Sequence, residues 1–214
     1  MKEVRIRILY PRSITPDEVQ SAIRGTNYFT HFGVLFDHSD IEAGTALHGV
    51  KNGRAIKRIL ESDDPKISYY DLGGDLSHIL FPKHTLPIGL TPVQLHELIN
   101  DDYASHLVPS IGLSQSNEGA VVSLFRFRQL DLNAANAPFR TLGFSLSSKA
   151  TEIAVAHELG HLLGVEGHCE KSNCIMQANT DFDDFIERFV RTVVTLCRDC
   201  SDQISLNICR SSSY

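Results

Sequence analysis

The sequence predicts a mixed α/β protein, in the α+β sense, and two observations carry that assignment. Strand-like runs alternate with helix-start signals through the first 150 residues, with no internal repeat, low-complexity tract or linker among them. A hydrophobic fraction of 42% and a charged fraction of 21% are those of a globular chain with a core to bury.

The elements follow in chain order. Val4-Arg5-Ile6-Arg7-Ile8 alternates apolar and polar residues, the pattern of a strand. Thr15-Pro16-Asp17-Glu18 opens a helix: Thr15 caps it, Pro16 suits the first turn, and Glu18 completes a capping box. Gly33-Val34-Leu35-Phe36 reads as a second strand. Residues 52–61 read as a helix with Ile56, Ile59 and Leu60 on one side, and residues 66–70 as a third strand before Gly73-Gly74. Thr91-Pro92-Val93-Gln94 repeats the cap-plus-proline device and predicts a short helix to about Asp101. Residues 113–119 read as a loop, Ala120 to Phe127 as the strongest strand, and 130–140 as a loop. Thr151 to Gly164 holds no proline and predicts a helix that stops at a glycine. Asp181 or Asp183 caps a further helix, in which Phe182, Phe185, Ile186, Phe189, Val190 and Val193 form an apolar stripe. Ser211 to Tyr214 reads as a disordered tail.

The bulk properties exclude some functions. The net charge of −6 and a pI near 5.9 argue against nucleic-acid binding, and no basic run lies near the cysteines. No run approaches the ~18 apolar residues of a membrane span. The start MKEVRIRILYPRS lacks the apolar core of a secretory signal, so the expected compartment is cytoplasmic, where thiols stay reduced.

Chemistry concentrates in HELGHLLGVEGHCEKSNCIM, residues 157–176. A helix places His157 and His161 on one face, with Val155, Leu159, Leu162 and Leu163 on the opposite side. Two imidazoles one turn apart bind one zinc, and the intervening Glu158 reaches a water at the metal. Such a site lowers the pKa of that water to about 7, and Glu158 serves as general base and then as acid to the leaving amine of a peptide. The third ligand lies beyond Gly164, whose left-handed conformation turns the chain: His168 or Glu166. Cys169-x₄-Cys174 and Cys197-x₂-Cys200 have the spacing of a closed, structural zinc site, while Cys209 stands apart as a buried or tail thiol. The seven remaining histidines, His31, His38, His48, His78, His84, His96 and His106, are scattered and read as surface or core residues. Arg126 and Arg128 read as substrate contacts or as solvated side chains.

The joined motifs resemble the archaemetzincins, a family of metzincin zinc peptidases. The pattern H-E-x-x-H-x-x-G-x-x-H-C-x₄-C-x-M followed by C-x-x-C is met in order by His157, Glu158, His161, Gly164, His168, Cys169, Cys174, Met176, Cys197 and Cys200. Gly119-Ala-Val-Val-Ser123 is similar to the family's strand before the active-site helix. Two departures are visible. Val165-Glu166-Gly167 gives three residues before His168 where the family has two, and Gly167 can absorb the extra one in a bulge. Twenty residues, rather than about seventeen, separate Met176 from Cys197.

The resemblance implies a compact zincin fold, a mixed twisted sheet with an active-site helix and a C-terminal helix stapled by a four-cysteine zinc site. It implies two zinc ions per chain, one catalytic on His157, His161 and His168 and one structural on Cys169, Cys174, Cys197 and Cys200. Met176 would form the Met-turn beneath the catalytic metal, and Ala178 stands where some metzincins carry a tyrosine ligand. Residues 1–214 are then one peptidase domain, with an N-terminal subdomain to 164 and a C-terminal subdomain over 165–210. The expected activity is zinc-dependent hydrolysis of peptides or proteins by a monomer, with Ala120–Phe127 as the strand edge that pairs with substrate. The alternative is a non-catalytic, zinc-stabilised binding protein on the same scaffold, which would have no use for Glu158.

Overall fold

The computed structural model describes residues 4–10, 13–40, 85–92, 94–100, 105–115, 119–132, 145–178, 181–190 and 192–211. The helix expected at 52–61, the strand at 66–70, most of the 130–140 loop and the last residues of the tail lie outside these.

The alternating N-terminal run forms β1 (Arg5–Tyr10), with Ile6, Ile8 and Leu9 in the core. The capping box then starts α1 (Pro16–Thr26): Thr15 accepts from Glu18 N, and Glu18 accepts from Thr15 N. A 3-10 turn, Asn27–Phe32, ends at Gly33 with φ 73°, and the chain enters β2 (Leu35–Asp40) parallel to β1. This β1–α1–β2 unit is the first half of a sheet completed by β3 (Thr85–Thr91), β6 (Gly112–Gln115) and β7 (Gly119–Ser123). Among the described residues the order is β2-β1-β3-β7-β6, and only β6 runs antiparallel to its neighbour. The mixed α/β expectation therefore holds. Every residue of β7 is buried, as expected of an interior strand covered on both faces.

Several sequence expectations give way to tertiary pairing. Thr91 ends β3 instead of capping a helix, and β4 (Leu95–Asn100) pairs antiparallel with β5 (Ser105–Ser110). The capping signal is local, whereas a ladder across six residue pairs is not, and the ladder prevails. Of the loop expected at 113–119, the described residues 113–115 and 119 are strand, because β6 and β7 pair antiparallel; 116–118 lie outside the described residues. The apolar run 120–127 is split: β7 stops at Ser123, and Phe127 begins the short helix α2 (Phe127–Leu130) with its ring in the core. Consequently β7 is interior, and β6 forms the sheet edge that the sequence pattern assigns to 120–127.

The helix expected from Thr151 starts earlier, as α3 (Leu146–Leu162). Ser145 caps it by accepting from Ser148 N, and Asp131 accepts from Leu146 N at 3.0 Å. It packs against α1, α2 and the β6–β7 end of the sheet. The contact with α1 is close enough that a side chain at Gly25 would overlap the Glu152 carbonyl. Hence α3 is buried around most of its girth from Ile153 to Gly160, including the side of His157 and Glu158 that the sequence pattern left open.

The C-terminal stripe is also broken. Asp181 caps α4 (Phe182–Phe185), which widens into a π turn at Ile186–Val190. Phe182, Phe185, Ile186 and Phe189 are buried, but Val193 is 84% exposed. The last described element is α5 (Arg198–Ser211), which carries Cys209 on an exposed position. No helix among the described residues is long and apolar enough to cross a membrane.

Arg126 and Arg128 turn out to be framework. The Arg126 guanidinium lies 3.9 Å over the Phe182 ring. Arg128 binds both Glu18 carboxylate oxygens, at 2.7 and 3.0 Å, and the Ser13 carbonyl. Burial raises the Glu18 pKa, but Arg128 and the Thr15 cap outweigh it, and the net value lies below the usual 4.5. A carboxyl with a lowered folded pKa stabilises the fold fully above its unfolded value and loses that contribution as pH falls through the folded one. Glu18→Gln should destabilise by about 1 kcal/mol at pH 7, since the arginine is partly exposed and solvent screens the pair. Denaturant titration of both proteins should show the difference shrinking below pH 4.5.

Candidate metal centres

Two groups of side chains converge on either side of one short strap. His157 and His161 face out of α3 one turn apart, their ring centroids 4.8 Å from each other. Helix α3 stops at Leu162, and Gly164 at φ 96° reverses the chain. Gly167 is also left-handed, at φ 66°, and absorbs the extra residue of this turn. His168 is thereby returned over the helix, its ring 5.3 Å from that of His157 and 5.1 Å from that of His161. One ligand atom from each of the three lies within 4.8 Å of the others. Glu166, the competing candidate, is exposed and stands outside this group.

The hydrogen bonds orient the imidazoles. His157 Nδ1 lies 2.7 Å from the Ile175 carbonyl and His161 Nδ1 lies 3.0 Å from the Val165 carbonyl. A carbonyl only accepts, so each Nδ1 must carry the proton and each Nε2 a lone pair. Burial pushes His157 down to about 4, against the Ile175 carbonyl, and the His168 charge adds to the fall. Burial likewise lowers His161, with His157 as the next cause. Both rings are neutral near pH 7, with Nε2 atoms 3.2 Å apart. Two lone pairs directed at one point repel unless a cation lies between them. A tetrahedral zinc with Zn–N near 2.0–2.1 Å would need its nitrogens roughly 3.3 Å apart, so the spacing fits.

The cysteines pass the same test. Cys169 and Cys174 flank a tight turn in which Asn173 takes φ 63°. Thr195 donates to the Asn173 carbonyl and accepts from Ile175 N, which draws Cys197 and the first turn of α5 towards the strap. Cys169 Sγ and Cys197 Sγ are 3.6 Å apart, and Cys174 Sγ and Cys200 Sγ are 3.8 Å apart. These separations are far beyond a disulfide bond of about 2.05 Å. They match the roughly 3.8 Å edge of a tetrahedron with Zn–S near 2.3 Å. Burial pushes the Cys174 and Cys200 thiols up; at Cys197 burial is outweighed by the Cys200 backbone N–H and the neighbouring thiols, which hold it low. Lys171 N donates to Cys169 Sγ at 3.4 Å, and the Lys171 ammonium pairs with Asp199 at 2.7 Å nearby. A cavity of about 310 Å³ lies alongside, lined by His168, Cys169, Lys171 and Asp199 among others.

Met176 is fully buried beneath α3. Its thioether fills the space that a side chain at Gly160 would occupy: a Cβ there would overlap Met176 Sδ and lie 2.8 Å from Cε. Sequence reasoning passed over Gly160, although a glycine inside a helix costs about 1 kcal/mol relative to alanine and so hints at a packing need. It also missed Asn207 on α5, which donates to the Gly164 carbonyl at 2.8 Å and holds the helix-ending turn. The Ile175 and Val165 carbonyls are backbone groups and leave no trace in residue identity.

A mixed sheet over a buried helix carries paired histidines, with a cysteine cluster beside them, and both groups could hold a metal ion. Residues 103–206 match the model of peptidase family M54. It is 34% identical over 68 residues to archaemetzincin from Sulfolobus acidocaldarius, a match covering 32% of this chain and 36% of that relative. The crystal structure of archaemetzincin from Methanopyrus kandleri aligns over 97% of both chains with a TM-score of 0.58, at 19% identity, and shares the fold.

Gly160→Ala should destabilise the protein by about 1–3 kcal/mol through overpacking on Met176. Combined with Met176→Ala, the loss should be smaller than the sum of the two single losses. Thermal unfolding of the four proteins checks it.

Proposed function

We propose that this chain is a peptidase that binds two zinc ions, one catalytic and one structural. His157, His161 and His168 hold the catalytic ion; Cys169, Cys174, Cys197 and Cys200 hold the structural one. The observation that carries the reading is the facing pair of Nε2 atoms 3.2 Å apart, each fixed by a carbonyl on its own Nδ1. When bound, zinc leaves a coordination position open and lowers the pKa of a water there to about 7.

The remaining steps belong to the chain. Glu158 accepts the proton of the attacking water and delivers it to the leaving amine of the peptide bond. Its burial in α3 keeps bulk water from competing for that proton. An extended peptide pairs with β6, the sheet edge nearest Glu158, through main-chain hydrogen bonds. The Met176 side chain and the Ile175 carbonyl form a rigid floor that keeps His157 from rotating. The cysteine cluster has four ligands and no open position, so its role is to hold the strap and α5 together. Four reduced thiols suit a cytoplasmic setting.

Elemental analysis of protein purified without chelator should give close to two zincs per chain, falling to one in His168→Ala. Glu158→Ala should keep both and lose hydrolysis of a peptide library by ~10²-fold or more. Undiminished hydrolysis in that variant would overturn the role of Glu158. Zinc-loaded wild-type protein with no hydrolysis would favour a binding protein on the same scaffold.

A further inference from the structure

Gly112 is the first residue of β6 and faces Glu158. A Cβ built on it would overlap Glu158 Oε1 and lie 2.8 Å from both Cδ and Cγ. The backbone does not demand glycine here. Among the described residues Gly33, Gly164 and Gly167 have positive φ, and Gly112 does not. An alanine could adopt its conformation, so the close approach of the carboxylate is what a side chain would violate.

Neither backbone can give way. Gly112 is paired with Val122 in the β6–β7 hairpin, its carbonyl accepts from Ser110 Oγ at 2.7 Å, and the preceding Ile111 carbonyl accepts from Ser123 N at 2.8 Å. On the other side, α3 is pressed against α1 at Gly25 and against Met176 at Gly160. The part able to move is the Glu158 side chain.

We propose that Gly112 is a positioning residue for Glu158: the missing side chain on the edge strand lets the carboxylate lie at the strand where substrate binds. This rests on the peptidase reading above. Because β6 meets a peptide through its main chain, a methyl at Gly112 leaves binding largely intact and displaces the group that moves the proton. A displacement on the order of 1 Å is enough to lower turnover by ~10²-fold.

The test is a double-mutant cycle of Gly112→Ala and Glu158→Ala on the zinc-loaded full chain. Zinc content, kcat, KM and Tm are measured for each protein. In Gly112→Ala kcat should fall by ~10²-fold with KM and zinc content unchanged. Its Tm should fall by ~3 °C or more when Glu158 is present and by clearly less when residue 158 is alanine. Retained kcat in Gly112→Ala, or an equal Tm loss in both backgrounds, would overturn the proposal. If Gly112→Ala alone does not fold, folding of the double variant supports it and failure of both overturns it. If wild-type protein carrying its zinc hydrolyses nothing, the peptidase reading fails, and the Tm comparison still decides whether Gly112 makes room for Glu158.

Discussion

The bond from His157 Nδ1 to the Ile175 carbonyl, 2.7 Å long and buried, is the constraint on which both clusters depend. It joins the middle of α3 to a strap that has no regular secondary structure of its own. Leaving either group unpaired in that interior would cost about 1–3 kcal/mol, so the strap is drawn to the helix wherever the fold forms. Once it is there, the neighbours of Ile175 have no freedom left. Cys174 on one side is directed into the thiol cluster, and Met176 on the other is driven under Gly160. The Met176 carbonyl then accepts from Cys169 N at 2.8 Å, which fixes the residue next to His168.

The two metal-ready groups are therefore not independent modules. His168 and Cys169 are consecutive, yet one faces α3 and the other faces α5. Asn207 adds a second tie, from α5 to the Gly164 carbonyl at the end of α3. Filling the cysteine cluster stiffens α5 and the strap together, and both impinge on the turn that carries His168. A loose strap would let His157 rotate and His168 swing away, so an ion held by the cysteines would act on the histidine geometry through two hydrogen bonds.

How much of this was legible depended on whether the information was local. The Thr15–Glu18 capping box, the alternation in β1, the glycine stop after α3 and the histidine and cysteine spacings are short-range patterns, and the structure brings those residues together. The same local logic failed at Thr91, where a similar cap-plus-proline signal is overridden by pairing with Ser123 in the sheet. It failed again at 113–119, because a four-residue edge strand with Gly, Ser and Gln has no apolar alternation to announce it. The sheet edge was misassigned for the same reason: the most apolar strand is the interior one, and the edge is the one that looks like a loop.

Glycine shows the limit most clearly. Gly164 and Gly167 could be anticipated, because a turn in the backbone demands them. Gly25, Gly112 and Gly160 answer to atoms far away in sequence: the Glu152 carbonyl, the Glu158 carboxylate and the Met176 thioether. All three press on α3 from different directions. The helix that carries the histidines and Glu158 is thus enclosed by α1, the edge strand and the strap at spacings that admit no β-carbon. The proposed role of Glu158 would require its carboxylate to be held to within a fraction of an ångström, and a helix wedged between three close backbone or side-chain approaches has few ways to shift. The rigidity of this helix comes less from what these three positions contribute than from the side chains they leave out.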